Sequence, residues 1–211
     1  MKIIGGGTAR TMRAYWAADE LGVDYESVLI GSRSGDTNTP EFHALTVKEK
    51  IPVLIHDDFI LTESGAIVNY LGRIKGGLLP ESATDWARYE EWQSYLLMEL
   101  DAQYLYPIRK HRDLAHIYGE APAAITAAIE GFHKQIKFAE VTLNDNPFLM
   151  GDSFTGVDIH LTTCLEWAQM CQIELNDIFM PYLDRVRARP AYQKAFKLNF
   201  SITPDGKPVK T

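Results

Sequence analysis

Every stretch of this 211-residue chain that reads as a β-strand ends by Leu61, and nothing beyond residue 85 carries strand alternation. Any sheet must therefore be built from the first third of the chain. Lys2 to Ile4 and Tyr25 to Ile30 are short apolar runs, bounded by Gly5-Gly6-Gly7 and by a Gly, Ser, Asp and Thr rich loop over residues 31–39. Between them Thr8 to Leu21 is helical, with Met12, Tyr15, Trp16 and Ala18 near one side and Gly22 at the stop. Pro40 opens a helical turn holding Phe42 and Leu45, Pro52 opens a third strand, and Asp57-Asp58 turns it back into a fourth around Phe59 to Leu61. Ser64 to Ile74 closes the unit as a helix, giving the order βαβαββα.

Residues 75–85 have the composition of a linker, and helical spacing takes over after them. Trp86, Tyr89, Trp92, Leu96, Leu100 and Tyr104 predict a helix that ends at Pro107, whose ring should break it. A second helix begins near Pro122 and carries Ile125, Ala128, Phe132, Ile136, Ala139 and Leu143 on one stripe. Thr155-Gly-Val-Asp158 is a capping-box start, and the helix after it is apolar on all sides, which predicts a central buried element. Two short helices and an extended or loose Thr203-Pro-Asp-Gly-Lys-Pro tail finish the chain. The expected domains are residues 1–78, a linker 79–85 and an all-helical part 86–211.

A net charge of −7 with no basic half excludes a nucleic-acid partner, because phosphate neutralisation needs clustered Lys and Arg. The opening Met-Lys-Ile-Ile-Gly lacks the order of a signal peptide and no apolar run approaches about 18 residues, so the expectation is a cytoplasmic chain with no membrane partner. Cys164 and Cys171 lie about 10 Å apart along a helix, too far to bridge, and are expected as buried thiols. The histidines show neither an i, i+4 ligand pair nor an HExxH pattern, so no metal is assigned.

The stretch Lys50-Ile51-Pro52-Val53 carries a second message. Pro52 has no N–H, so its strand is expected to be bent or at an edge, with the adjoining backbone open to an extended ligand such as a small peptide. Glu63-Ser64-Gly65 stand at a helix start, where a hydroxyl and unpaired N–H groups favour an anion, a carboxylate for example.

A small α/β domain, a Gly-Leu-Leu-Pro linker and a helical domain, carrying Pro40-Glu-Phe-His-Ala-Leu, Lys50-Ile-Pro-Val-Leu, Glu63-Ser64 and Phe154-Thr-Gly-Val-Asp158, together resemble the soluble glutathione S-transferase family. The match spans nearly the whole chain. It implies the glutathione transferase fold, an α+β thioredoxin-like domain followed by an all-α domain. It also implies glutathione as co-substrate, a small hydrophobic electrophile as second substrate, and a homodimer. Carried over by position, the resemblance makes Pro52 a cis proline and pairs the Val53 main chain with the cysteinyl part of glutathione. Glu63 and Ser64 would take the γ-glutamyl end and Lys50 the glycyl carboxylate.

The implied chemistry needs a thiolate. Lowering a thiol pKa from about 8.5 by two requires roughly 2.7 kcal/mol of preferential anion stabilisation. A hydroxyl donating to a charged acceptor supplies about 1.5–3 kcal/mol and a helix start about 0.3–1 kcal/mol. Thr8 and Thr11 are the candidate hydroxyls, standing where family members usually place Ser or Tyr; the alternative is stabilisation by backbone N–H groups or Arg10. The absence of cysteine near the first helix argues against the variant that forms mixed disulfides through its own thiol. Tyr104, Tyr106, Arg109 and Arg112 are the candidates for the electrophile side, ahead of Tyr15 and Trp16. A glutathione-dependent peroxidase or β-etherase would use the same groups. A glutathione-binding module without turnover and a helical scaffold are the competing readings.

Overall fold

The computed structural model describes residues 1–209. The chain divides into two compact units, one formed by Met1–Leu79 with the chain from Arg187 onward, the other by Pro80–Val186. In the first unit, β1 (Lys2–Gly6), α1 (Ala9–Glu20), β2 (Glu26–Gly31), α2 (Pro40–Leu45), β3 (Val53–His56), β4 (Phe59–Thr62) and α3 (Ser64–Lys75) follow the expected order. The four strands lie in the order β2-β1-β3-β4, with β1 and β2 parallel and the other pairings antiparallel. Met12, Tyr15, Trp16, Ile67, Val68 and Leu71 are fully buried, so the inward stripes of α1 and α3 form the unit's core.

Two expectations are corrected here. Pro52 was expected in a bent or edge strand, but β3 is an interior strand and Pro52 sits one residue before it, where no ladder N–H is needed. The Ile51–Pro52 peptide is cis. Val53 lies opposite Ile4 on one side and Thr62 on the other and is fully buried, so its main chain serves the ladder. The backbone outside the ladder is that of residues 50–52.

The end of the chain also departs from the expected domains. α10 (Pro190–Asn199) packs on α1, with the Trp16 and Tyr192 rings edge to face at 5.0 Å. Arg189 Nε lies 3.0 and 3.1 Å from the two Glu20 carboxylate oxygens, and Lys194 Nζ 2.6 Å from Asp19 Oδ1. Helical spacing predicts short helices here but not the surface they cover, which is why residues 187–209 read as part of the helical domain; the stripe that α10 buries is Tyr192, Ala195 and Asn199. The tail is likewise neither extended nor loose. Thr203 N–H donates to the Lys207 carbonyl at 2.8 Å, Gly206 N–H to Thr203 at 2.9 Å and Val209 N–H to Ser201 at 2.8 Å, folding it into a tight turn. That turn rests on Gly31, where a Cβ would meet the Pro204 and Gly206 backbones, so side-chain-free positions in the sheet admit it. Residues 210 and 211 lie outside the described residues.

In the second unit, α4 (Ala83–Ser94) runs on as π-helix through Tyr95–Leu105, one α turn α5 (Tyr106–Ile108) and a further π segment Arg109–Asp113. Pro107 does not end it. The Tyr106 N–H already bonds five residues back to Asp101, and this wider winding carries the helix through the residue that lacks an N–H. The short α6 (Ala115–Tyr118) is followed by α7 (Pro122–Asp145), α8 (Gly156–Met170) and α9 (Phe179–Arg187). α8 is the central buried helix expected, and Asp158 secures its start with a capping box to Thr155. Both cysteines are buried thiols, and neither is in a disulfide.

Candidate functional site

Three segments distant in sequence meet at one end of the sheet. Ile4 near the end of β1 faces Val53, the first residue of β3, and Val53 faces Thr62, the last of β4. The register therefore gathers the Gly7-Thr8 loop, residues 50–52 and Glu63-Ser64. α1 and α3, each 12 residues long, both begin at this end with no acidic side chain in their first turns. Their unpaired N–H groups and aligned dipoles favour an anion there.

The two helix starts differ in their caps. α3 has no side-chain cap: Glu63 precedes it at φ 70° and turns its carboxylate to Lys48, whose Nζ lies 2.9 Å from Glu63 Oε1 and 3.0 Å from Thr62 Oγ1. Ser64 is buried, with the Arg13 guanidinium 3.4 Å from its hydroxyl. Burying Arg13 inside α1 thus adds positive charge beside Ser64, a contribution that sequence reasoning missed although an arginine among Met12, Tyr15 and Trp16 was the available signal. Lys48 was missed as well, since an exposed lysine in a loop carries no sequence signal. Lys50, its expected counterpart, is exposed.

Thr8 caps α1. Its hydroxyl accepts the Thr11 N–H at 3.1 Å and stands 2.9 Å from the Thr11 hydroxyl. Thr8 retains 9% exposure while Thr11 has none, so of the two candidate residues only Thr8 reaches the surface. Behind them lies Asn199 from α10, fully buried. Thr11 Oγ1 is 2.6 Å from its Oδ1, its Nδ2 donates to the Thr8 carbonyl at 3.0 Å, and its own carbonyl accepts the Gly7 N–H at 2.7 Å. No local pattern could have flagged a residue so far along the chain.

The proposed electrophile residues share one helical run in the second unit but not one role. The Tyr104 ring covers Gly131 of α7, where a Cβ would collide with it, so Tyr104 is a packing residue. Arg112 donates to the Cys171 carbonyl at 2.9 Å and to Asp113 Oδ1 at 3.0 Å, which commits its guanidinium to tying the unit together. Tyr106 and Arg109 are half-buried. Tyr15 and Trp16 are fully buried, and burial pushes the Tyr15 hydroxyl pKa upward while it donates to the Gly5 carbonyl at 2.8 Å. Among the described residues no group of His, Cys, Asp and Glu is gathered to hold a metal ion, and no helix is long and apolar enough to cross a membrane.

The glutathione S-transferase N-terminal domain model matches residues 3–73, and the C-terminal domain model matches residues 97–190. The chain belongs to the glutathione S-transferase family. Glutathione S-transferase GstA of Escherichia coli O157:H7 is 25% identical, over 92% of this chain and 96% of that one. Elongation factor 1-gamma 2 of Oryza sativa subsp. japonica is 32% identical over 75% of this chain, which spans only 38% of that relative's length. The theta class glutathione S-transferase from Xanthomonas axonopodis pv. citri, with glutathione bound, aligns at a TM-score of 0.78 and 25% identity, covering 92% of this chain and 95% of its own. Thr8, residues 50–53 and Glu63-Ser64 all fall inside the N-terminal glutathione S-transferase match, whereas Asn199 lies beyond both matches.

Proposed function

We propose that this chain binds glutathione where α1 and α3 begin and adds its thiol to small hydrophobic electrophiles. The observation that carries the reading is the convergence at one sheet end of two helix starts without first-turn acids, the buried Ser64 hydroxyl beside Arg13, and the unladdered backbone of residues 50–52. A tripeptide with two carboxylates and one ammonium group complements that pattern. Its γ-glutamyl carboxylate takes Ser64 and the first N–H groups of α3, its ammonium side takes Glu63, and its cysteinyl main chain takes Ile51. The glycyl carboxylate takes Lys50, with Lys48 nearby in the same loop. Thr8 then stands nearest the sulfur, and Tyr106 and Arg109 serve the electrophile. The bound glutathione of the Xanthomonas axonopodis relative supports the first step.

One observation favours a second reading, binding without turnover: the Thr8 hydroxyl is already engaged by Thr11. Calorimetry with glutathione, followed by rates with an aryl halide and with cumene hydroperoxide, separates the two. Binding heat with rates above solution background is expected. No heat at millimolar glutathione removes the proposal; heat with background rates leaves the second reading. On the same reading we assign a cytoplasmic homodimer, its mass checked by light scattering.

A further inference from the structure

Thr11 has one hydroxyl proton and three oxygens in reach: Asn199 Oδ1 at 2.6 Å, and the Thr8 carbonyl and Thr8 Oγ1, each at 2.9 Å. Asn199 decides between them. Its Nδ2 donates to the Thr8 carbonyl at 3.0 Å, and because a carbonyl only accepts, turning the amide over would set two acceptors against each other. Oδ1 is thereby fixed opposite Thr11 Oγ1. The Thr8 carbonyl already receives Met12 N–H at 3.0 Å as well as Nδ2, which fills both of its lone pairs. Oδ1 has no proton to give, so the Thr11 proton lies on the 2.6 Å contact to it.

The consequence passes to Thr8. Thr11 Oγ1 now presents only lone pairs, which face the Thr8 N–H at 3.3 Å and Thr8 Oγ1 at 2.9 Å. The Thr8 proton points inward to Thr11, one Thr8 lone pair takes the Thr11 N–H, and one lone pair is left.

We infer that Asn199 is a positioning residue that fixes the direction of a Thr8 to Thr11 to Asn199 hydrogen-bond chain, so that the Thr8 hydroxyl meets a bound thiol as an acceptor and holds it toward its protonated form. This rests on the reading that Thr8 stands at the sulfur. For Thr8 to donate to a thiolate its proton must swing away from Thr11, giving up the 2.9 Å bond and leaving two oxygens lone pair to lone pair. Asn199 thus restrains thiol ionisation from the far end of the chain.

Two measurements test this. Neutron diffraction from deuterium-exchanged, ligand-free crystals should place the Thr11 deuterium toward Asn199 Oδ1 and the Thr8 deuterium toward Thr11 Oγ1; a Thr8 deuterium turned away from Thr11 overturns the inference. In solution, the thiolate ultraviolet absorbance of the glutathione-saturated protein is followed against pH. Thr11→Val removes the inward acceptor and should raise the thiolate fraction at neutral pH about ten-fold, a fall of about one in the thiol pKa. Asn199→Leu leaves the Thr11 proton to divide between Thr8 Oγ1 and the Thr8 carbonyl that loses Nδ2, and should raise the thiolate fraction by a smaller factor than Thr11→Val does. Added to Thr11→Val it should change nothing further, whereas general loosening of the loop would shift the profile again and overturn the inference. An unchanged thiol pKa in folded Asn199→Leu, or in Thr11→Val if the first variant does not fold, also overturns it. If glutathione gives no heat with the unaltered protein, the placement of Thr8 at the sulfur falls, while the neutron map still decides the direction of the chain.

Discussion

Replacing Asp158 should turn one buried carboxylate into a measurable slope of stability against pH. The group is fully buried at the start of α8 and accepts four hydrogen bonds, from the Leu149 N–H at 3.0 Å, the Thr155 N–H at 2.9 Å, the Thr155 hydroxyl at 3.1 Å and the Tyr182 hydroxyl at 3.3 Å. Burial outweighs those bonds and pushes its pKa up to about 6. A carboxyl whose folded pKa lies above its unfolded value of about 3.9 stabilises the fold fully below that value and loses the contribution as pH rises through about 6, roughly 3 kcal/mol over the whole titration. Asp158→Asn keeps one acceptor oxygen and cannot ionise. Urea unfolding followed by the fluorescence of Trp86, Trp92 and Trp167, all in the second unit, should therefore show the wild type losing about 2 kcal/mol relative to Asp158→Asn between pH 4 and 6. Asp158→Ala strips the acceptor from two backbone N–H groups and should cost about 2–5 kcal/mol. A difference between wild type and Asp158→Asn that stays flat over that pH range would refute the balance of burial against hydrogen bonding argued here.

Ser64→Ala removes one donor to a carboxylate and should weaken glutathione binding roughly 10- to 100-fold by calorimetry, with an unchanged melting temperature. Gly31→Ala forces a Cβ into the Pro204 and Gly206 backbones and should lower stability by about 1–3 kcal/mol in chemical denaturation, releasing the tail to proteolysis. Arg189→Gln breaks the two-pronged contact with Glu20 that holds α10 to α1, and should cost about 1–2 kcal/mol at low salt and less at high salt.

The βαβαββα order, both helix starts, the Asp57-Asp58 turn and the buried character of α8 were legible because each follows from spacing or from chemistry within a few residues. So were the family motifs, which the glutathione S-transferase domain matches cover. Legibility failed wherever a residue's meaning depends on what it meets. Val53 looked free because an imide precedes it, yet two neighbouring strands claim it. Tyr104 and Arg112 had the composition of a pocket wall, but Gly131 and the Cys171 carbonyl engage them. Pro107 had the chemistry of a stop, and π winding carried the helix through it.

Local sequence by itself determined the elements, the order of the sheet-forming segment and the chemical types offered at the start of α1 and α3, since dihedral preference, capping and apolar period act over at most a few turns. Only the tertiary structure decided that α10 returns to α1 and sets Asn199 beneath Thr8 and Thr11. The direction of a hydroxyl proton depends on which partners can only accept, and partners so far apart in the chain are brought together by packing alone.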